Sequence, residues 1–381
     1  MLDLGCYFLG ALKVAIVAGS LGFAAYRIRQ RLLPSWAGSP ARLVEIVLAV
    51  ALLTWISQLL GTLTIFYGWT LIAVSIALAA LSLLLTTRTP AKSSRASVPP
   101  AGDPGGEAEN GATPRPQASP PGAGPAGRNA MSLAALAVAA LVVFSWAITT
   151  KHALDRGIFN FDSLWYHMPF SVDMVQSHSL TGMWHVETVF TNWFYPQNSE
   201  LLHAVGIALT ERDTLSLFLN FGWLGVAFLA AWCIGRPYGR GALGVVAVAI
   251  LLECHTLVVR EPGAAKNDLM AAALLLAAIA ILVEAWNHRH RDRSPLEPGW
   301  ALGAAGLAVG LAAGTKVTVL AMAAALSVVV LVLAPSGRRW AAAGWWFVPA
   351  LLGGGFWYLR NLVVAGSPQP AVESIGPISL P

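Results

Sequence analysis

The residues best placed for chemistry stand in the stretch Phe161-Asp162-Ser163-Leu164-Trp165-Tyr166-His167-Met168-Pro169. It lies just past an apolar run at 131–150 and opens a long segment rich in acids and aromatics. A carboxylate there is held where water meets lipid, so a water-soluble group and a lipid-borne group can meet beside it. Asp162 has the side chain and the position of a general base. The plainer reading of Asp162 is a helix cap or a solvated loop acid. His167 reads either as a binding group or as a structural histidine at the interface.

The elements that must position these residues follow from composition. The chain has 381 residues, 56% hydrophobic and 11% charged, against about 25% charged in a soluble domain. Continuous apolar runs recur, long enough to cross a hydrocarbon layer of about 30 Å. An all-α polytopic membrane protein with about ten transmembrane helices is therefore expected. A β-barrel would need short alternating strands instead. The expected spans are about 5–25, 43–61, 64–86, 131–150, 214–235, 241–259, 268–286, 299–314, 317–334 and 340–363. The eighth and ninth are rich in Ala and Gly, which predicts close packing against neighbours.

Residues 88–130 differ in kind. From Thr89 to Gly127 the chain is dominated by Pro, Gly, Ala and Ser. It lacks the apolar surface to offset its ordering entropy and reads as a disordered cytoplasmic linker. Three units result: an N-terminal three-helix membrane segment (1–87), the linker (88–130) and a transmembrane core (131–381). The segment before the first apolar run is acidic, unlike a cleavable signal peptide.

Orientation follows from Lys and Arg. With the linker in the cytoplasm, the short cytoplasmic segments hold Arg27, Arg29, Arg31 and Arg42, Arg236 and Arg240, Arg289, Arg291 and Arg293, and Arg338 and Arg339. The opposite face holds fewer bases, among them Arg260, Lys266, Lys316 and Arg360. It holds most acids, including Asp162, Asp173, Glu187, Glu200, Glu261 and Asp268. The net charge of +5 thus reflects topology, and no nucleic-acid partner is expected.

The outer segment 151–213 carries Trp165, Trp184, Trp193, Tyr166 and Tyr195, residues that favour the headgroup level. Residues 163–178 can form an amphipathic helix in the interface plane, with Leu164, His167, Met168, Met174 and Val175 near one side. Pro169 should bend it or end its first turn. Residues 198–211 suggest a second helix, capped by Asn198 or Ser199.

An acid soon after a transmembrane helix, followed by Tyr-His-x-Pro and an amphipathic helix, resembles the first outer loop of the C-type (GT-C) glycosyltransferase superfamily. The likeness is to bacterial enzymes of the protein-mannosyltransferase and aminoarabinose-transferase type. Tyr195-Pro196 before a helix, Lys266-Asn267-Asp268-Leu269, the run Gly310 to Lys316, and Trp357-Tyr358-Leu359-Arg360-Asn361 followed by Gly366-Ser367-Pro368 resemble further segments of that family. The likeness covers roughly 131–370. Relatives often carry two adjacent acids in the loop, where this chain has Asp162-Ser163, and they continue with further helices and often an outer domain.

The resemblance implies transfer of a sugar from a polyprenyl-phosphate carrier to a lipid, glycan or protein acceptor on the outer face of the cell membrane, with inversion. Such a donor already has a good leaving group. The reaction needs a base for the acceptor hydroxyl and cations for the departing phosphate. Asp162 is the expected base. Tyr166, His167, Lys266, Asp268, Lys316 and Arg360 are the expected substrate-binding residues. Arg360 and Lys316 can equally snorkel to headgroups; Glu261 and Asp268 could orient the acceptor or a metal ion, but the plainer reading of both is a helix cap. No cofactor is expected, although a divalent metal stays open. Glu253, Cys254 and His255 point in different directions along a helix and read as structural, as do Cys6 and Cys233. Glu284 is expected to reach the headgroups. The rival readings are a transporter and a non-catalytic relative acting as a partner subunit.

Overall fold

The computed structural model describes residues 4–85, 125–182, 192–288 and 297–370, together with 374–375 and 378–379. Three helices precede the linker: α1 (Leu4–Leu32), α2 (Ser39–Thr62) and α3 (Gly68–Ser82). After it come α4 (Pro125–Arg156), α5 (Met168–Ser177), α6 (Asn198–Thr210), α7 (Leu219–Gly235), α8 (Gly241–Leu252) and α9 (His255–Arg260). The chain continues through α10 (Asp268–His288), α11 (Glu297–Ala313), α12 (Val319–Leu333) and α13 (Arg339–Ala365). Two-residue strands, Ser374–Ile375 and Ile378–Ser379, pair antiparallel in the tail.

Among the described residues, six helical segments are long and apolar enough to cross a membrane: those of α1, α2, α4, α10 and α13, and Thr214–Tyr238 around α7. The chain is an all-α, multi-pass membrane protein. The other four expected spans coincide with the shorter apolar helices around α3, α8, α11 and α12. At a rise of 1.5 Å per residue, a 15-residue helix such as α12 covers about 22 Å, less than a hydrocarbon core. The expected span 241–259 is broken at Glu253 and Cys254, between α8 and α9. Residues 125–130, read from sequence as linker, already belong to α4. The rest of the linker, Trp184, Glu187 and Arg289, Arg291 and Arg293 lie outside the described residues.

Helix α10 forms the centre of the main core. Leu274, Ala277, Ala278 and Ile281 are buried against α7, α11 and α2. The three N-terminal helices share a second core with the remainder: Val17, Leu21, Leu60 and Leu71 meet Leu201, Leu209 and Trp357. Of the two small-residue helices, only α11 packs as expected. A Cβ on Gly310 would lie 2.0 Å from the Ala350 carbonyl oxygen, and one on Gly354 would lie 2.3 Å from that of Gly310. Only glycine allows the backbones of α11 and α13 to approach so closely. By contrast, α12 buries just Val319 and Val330. Its remaining surface is aliphatic and suited to lipid.

The arginine-bearing ends of several helices gather on one face. Arg29 donates to Glu45 at 2.8–2.9 Å, and Arg42 reaches the other oxygen of the same carboxylate at 2.5 Å. Glu284, expected among headgroups, is instead buried at 4% exposure. It is held by His288 Nε2 at 2.5 Å and Arg236 at 3.8 Å. Asp268, at the start of α10, lies about 24 Å along the axis from Glu284. The candidate site is therefore on the opposite face of the bundle from the arginine clusters.

Candidate functional site

Three clusters of polar side chains meet at that face, each assembled from segments far apart in sequence. The first is built around Lys266. Asp162 stands at the entry to a five-residue π-helical stretch, Ser163–His167, that runs directly into α5. The expected single amphipathic helix 163–178 is thus two helices of different pitch. Pro169 sits in the first turn of α5, where its missing N–H costs nothing. The turn before it is closed by Met168 N–H to Ser163 O, a five-residue span. Such wide turns recur at functional sites. Leu164 is 55% exposed, whereas His167, Met168 and Met174 are buried within the protein.

Ser163 fixes this turn on the loop before α10, its Oγ accepting the Ala265 N–H at 3.0 Å. Asn220 holds the same loop from α7 by donating to the Glu261 and Ala264 carbonyls. Asp162 and Lys266 are thereby brought together. Lys266 Nζ lies 3.5 Å from Asp162 Oδ2, 3.3 Å from Glu261 Oε1 and 3.4 Å from Asp268 Oδ2. Lys316 pairs with the other oxygen of Asp268 and lies 3.3 Å from Asn267 Oδ1. Asn267 in turn donates to the Thr315 carbonyl.

The cluster is layered. Asp162, Asp268 and Lys316 are 31–41% exposed at their side chains, while Lys266 at 10% and Glu261 at 1% lie beneath them. With every group ionised, three carboxylates face two ammonium groups, a net charge of −1. Burial pushes the Glu261 carboxyl up to about 7, against the pull of Lys266. Its Oε2 has no hydrogen-bond partner among the described residues. Burial would lower the Lys266 ammonium, but Glu261, Asp268 and Asp162 outweigh it and raise it. Asp268 is thus more than a helix cap: it bridges the two lysines at the start of α10.

The second cluster lies behind the first. His167 and Glu200, both fully enclosed, face each other with Nδ1 2.5 Å from Oε1. The far atoms, His167 Nε2 and Glu200 Oε2, are buried without a partner among the described residues. A carboxylate on one imidazole nitrogen fixes the ring's orientation and the role of the other nitrogen. His203, three residues after Glu200 on α6, is also buried, and burial pushes it down to about 3, so it is neutral. The Tyr166 ring packs on His167 with centroids 3.9 Å apart. Its phenol is pushed up by burial first, then by Glu200, Asp162 and Asp268. Tyr166 therefore stands between the first two clusters and stays protonated, able to donate a hydrogen bond.

Arg360 organises the third. It is 6% exposed, lies between the rings of Trp193 and Trp357 at 5.1 and 4.9 Å, and donates to Trp193 O at 2.5 Å and Gln197 Oε1 at 3.4 Å. No carboxylate lies at ion-pair distance among the described residues. The guanidinium is therefore built into the fold as a buried cation, not splayed toward headgroups. It does not touch Asp162, Lys266, Asp268 or Lys316.

Asn198 links this cluster to the lysine-bearing turn. Its expected role as a helix cap does not hold: α6 begins with no side-chain cap. The side chain instead donates to Leu311 O and Gly353 O and accepts the Trp357 indole N–H at 2.8 Å. Its own backbone N–H bonds Gly314 O at 2.9 Å. One amide thus ties α6, α11 and α13 together beneath Lys316.

Of the residues expected from sequence, Asp162, Lys266, Asp268 and Lys316 converge, Tyr166 and His167 adjoin them, and Arg360 stands apart. Sequence reading passed over Glu200 and Gln197, and treated Glu261 as a cap. The Glu-x-x-His spacing of Glu200 and His203, one helical turn apart, was the available signal. No group of three or more His, Cys, Asp or Glu suited to a metal ion occurs among the described residues. The arrangement supplies a half-exposed carboxylate beside ammonium groups, a protonated phenol and an enclosed imidazole. That set can accept a proton and bind an oxyanion. Comparison of the chain with family models, with curated proteins and with solved structures yields no match.

Proposed function

We propose that this protein is a membrane glycosyltransferase with about ten crossings and a GT-C-like fold. It transfers a sugar from a polyprenyl-phosphate carrier to an acceptor hydroxyl at the outer surface of a bacterial cell membrane. Asp162 takes the acceptor's proton as the hydroxyl oxygen attacks the anomeric carbon. The bond to the carrier phosphate breaks from the opposite side, inverting the centre. Lys316, the more exposed lysine, meets the departing phosphate. Lys266 holds Asp162 in place, and Tyr166 donates a hydrogen bond to the sugar or phosphate.

The observation that carries this reading is the meeting of Asp162 with Lys266, Asp268 and Lys316 on the face opposite the arginine clusters. By the excess of Lys and Arg at the cytoplasmic side, that face is the outer one. Lys266 pairs with Asp162 and Asp268, and Lys316 with Asp268, so a base and cations stand side by side.

The test is Asp162→Asn in the full chain, assayed in membranes for transfer of labelled sugar from a polyprenyl-phosphate donor pool. The expected result is loss of transfer with insertion and thermal stability unchanged. Transfer at the wild-type level would refute the assignment.

The buried pair His167–Glu200, with an atom on each side that has no partner among the described residues, favours a second reading: a proton-coupled transporter. Flux in proteoliposomes that Glu200→Gln abolishes, with no glycosyl transfer by the wild type, would select it.

A further inference from the structure

On the arginine side of the bundle, away from the site above, a cavity of about 250 Å³ lies between the N-terminal helices and the core. Arg29, Leu48, Trp55, Gly303, Trp345 and Leu352 are among its walls. It would hold about eight waters by bulk volume, but each would need two to four polar partners. The walls offer almost none. Arg29 is committed to Glu45 and the Trp36 carbonyl, and the Trp55 indole N–H to the Leu352 carbonyl at 2.7 Å. The space therefore suits a hydrocarbon chain. Leu48, Trp55 and Trp345 are only partly buried and Leu352 is exposed, so the cavity opens sideways from the bundle.

Its length and charge narrow the occupant. The α2 wall runs from Val44 to Trp55, about 16 Å, or about half of a 30 Å hydrocarbon core. That is the depth of one leaflet. The Trp55 bond closes the inner end, and Arg29 stands at the other. Arg29 lines that end and shares the single carboxylate of Glu45 with Arg42 just outside the lining, leaving one positive charge, and the Arg42 side chain is 63% exposed. A cationic mouth over a leaflet-deep apolar slot matches an anionic headgroup on an acyl chain.

We infer that this slot binds one anionic diacyl phospholipid of the leaflet at the arginine face, its acyl chain between α2, α11 and α13 and its phosphate on Arg42. The lipid fills the seam that joins the N-terminal three helices to the core. This holds whether or not the protein transfers sugars.

The test is native mass spectrometry of the full-length protein titrated with phosphatidylglycerol or phosphatidylcholine of identical chains, and with undecaprenyl phosphate as competitor. Wild type should bind one phosphatidylglycerol about tenfold more tightly than phosphatidylcholine. Gly303→Leu should weaken phosphatidylglycerol about tenfold or more, because a Cβ there meets only ordinary 3.5 Å contacts and the rest of the side chain enters the slot. Leu48→Trp, on the opposite wall, guards against misfolding of the first variant and should do the same. Arg42→Gln should abolish the preference for phosphatidylglycerol and leave phosphatidylcholine binding unchanged. The inference is overturned if both filling variants bind as wild type does, if the two phospholipids bind alike, or if undecaprenyl phosphate displaces phosphatidylglycerol at equal concentration.

Discussion

The two ends of α10 place charge below the surface in opposite ways. At the arginine end, Glu45 is held by Arg29 and Arg42, and Glu284 by His288 with Arg236 at 3.8 Å, so each buried carboxylate meets basic partners. At the Asp268 end, three carboxylates crowd one lysine, and buried oxygens of Glu261 and Glu200 lack partners among the described residues. Matched pairs hold a helix end in place. Groups left short of partners cost stability and are tolerated where their unmet capacity is used. The contrast is what the proposed function requires of the Asp268 end.

That contrast can be broken or sharpened in order of effect. Glu45→Gln should be the most damaging, because it strands buried Arg29. A loss of about 3–5 kcal/mol is expected, read as a fall in the thermal midpoint of purified protein. A smaller loss would mean that water reaches the guanidinium. Gly310→Val should cost about 1–3 kcal/mol or more through overpacking of α11 on α13, and crosslinking between cysteines placed on those helices should decline.

Glu261→Gln should behave in the opposite sense to Glu45→Gln. A carboxyl raised from about 4.5 to about 7 on folding contributes stability below its unfolded value, and that contribution is lost as pH rises through about 7. The wild-type midpoint should therefore fall between about pH 4.5 and 7, and the glutamine variant should flatten that slope. An unchanged slope would show that Glu261 stays ionised throughout. Arg42→Gln should be mildest, below about 1 kcal/mol, since its side chain is mostly exposed. Its effect belongs to lipid preference, not to folding.

Much of the architecture was legible beforehand. Each of the ten apolar runs is a helix or contains one, because apolar length and a 3.6-residue turn leave little else possible in lipid. The break at Glu253–Cys254 was missed, since the apolar runs on both sides read as one. The neighbourhood of Asp162, Lys266, Asp268 and Lys316 was anticipated only as a shared side of the membrane. Hydropathy gives depth, and depth cannot say which helices touch. Asn198 shows the limit most clearly. Its type and place suited a cap, yet its amide joins three helices through Leu311, Gly353 and Trp357.

The sequence by itself determined that this chain is a helical membrane protein, which runs are apolar helices, and that its acids and arginines favour different ends. Those properties follow from composition read against the thickness and dielectric of a bilayer, which act on each segment separately. The tertiary structure alone decided that Lys266 lies against three carboxylates, that Glu200 faces His167, and that Arg360 is walled in by two tryptophans. Such contacts join separate segments, 33 residues apart for Glu200 and His167 and 167 for Arg360 and Trp193. They depend on which backbones meet, as Gly310 meets Ala350; small residues announce a close approach, but no local pattern names the partner.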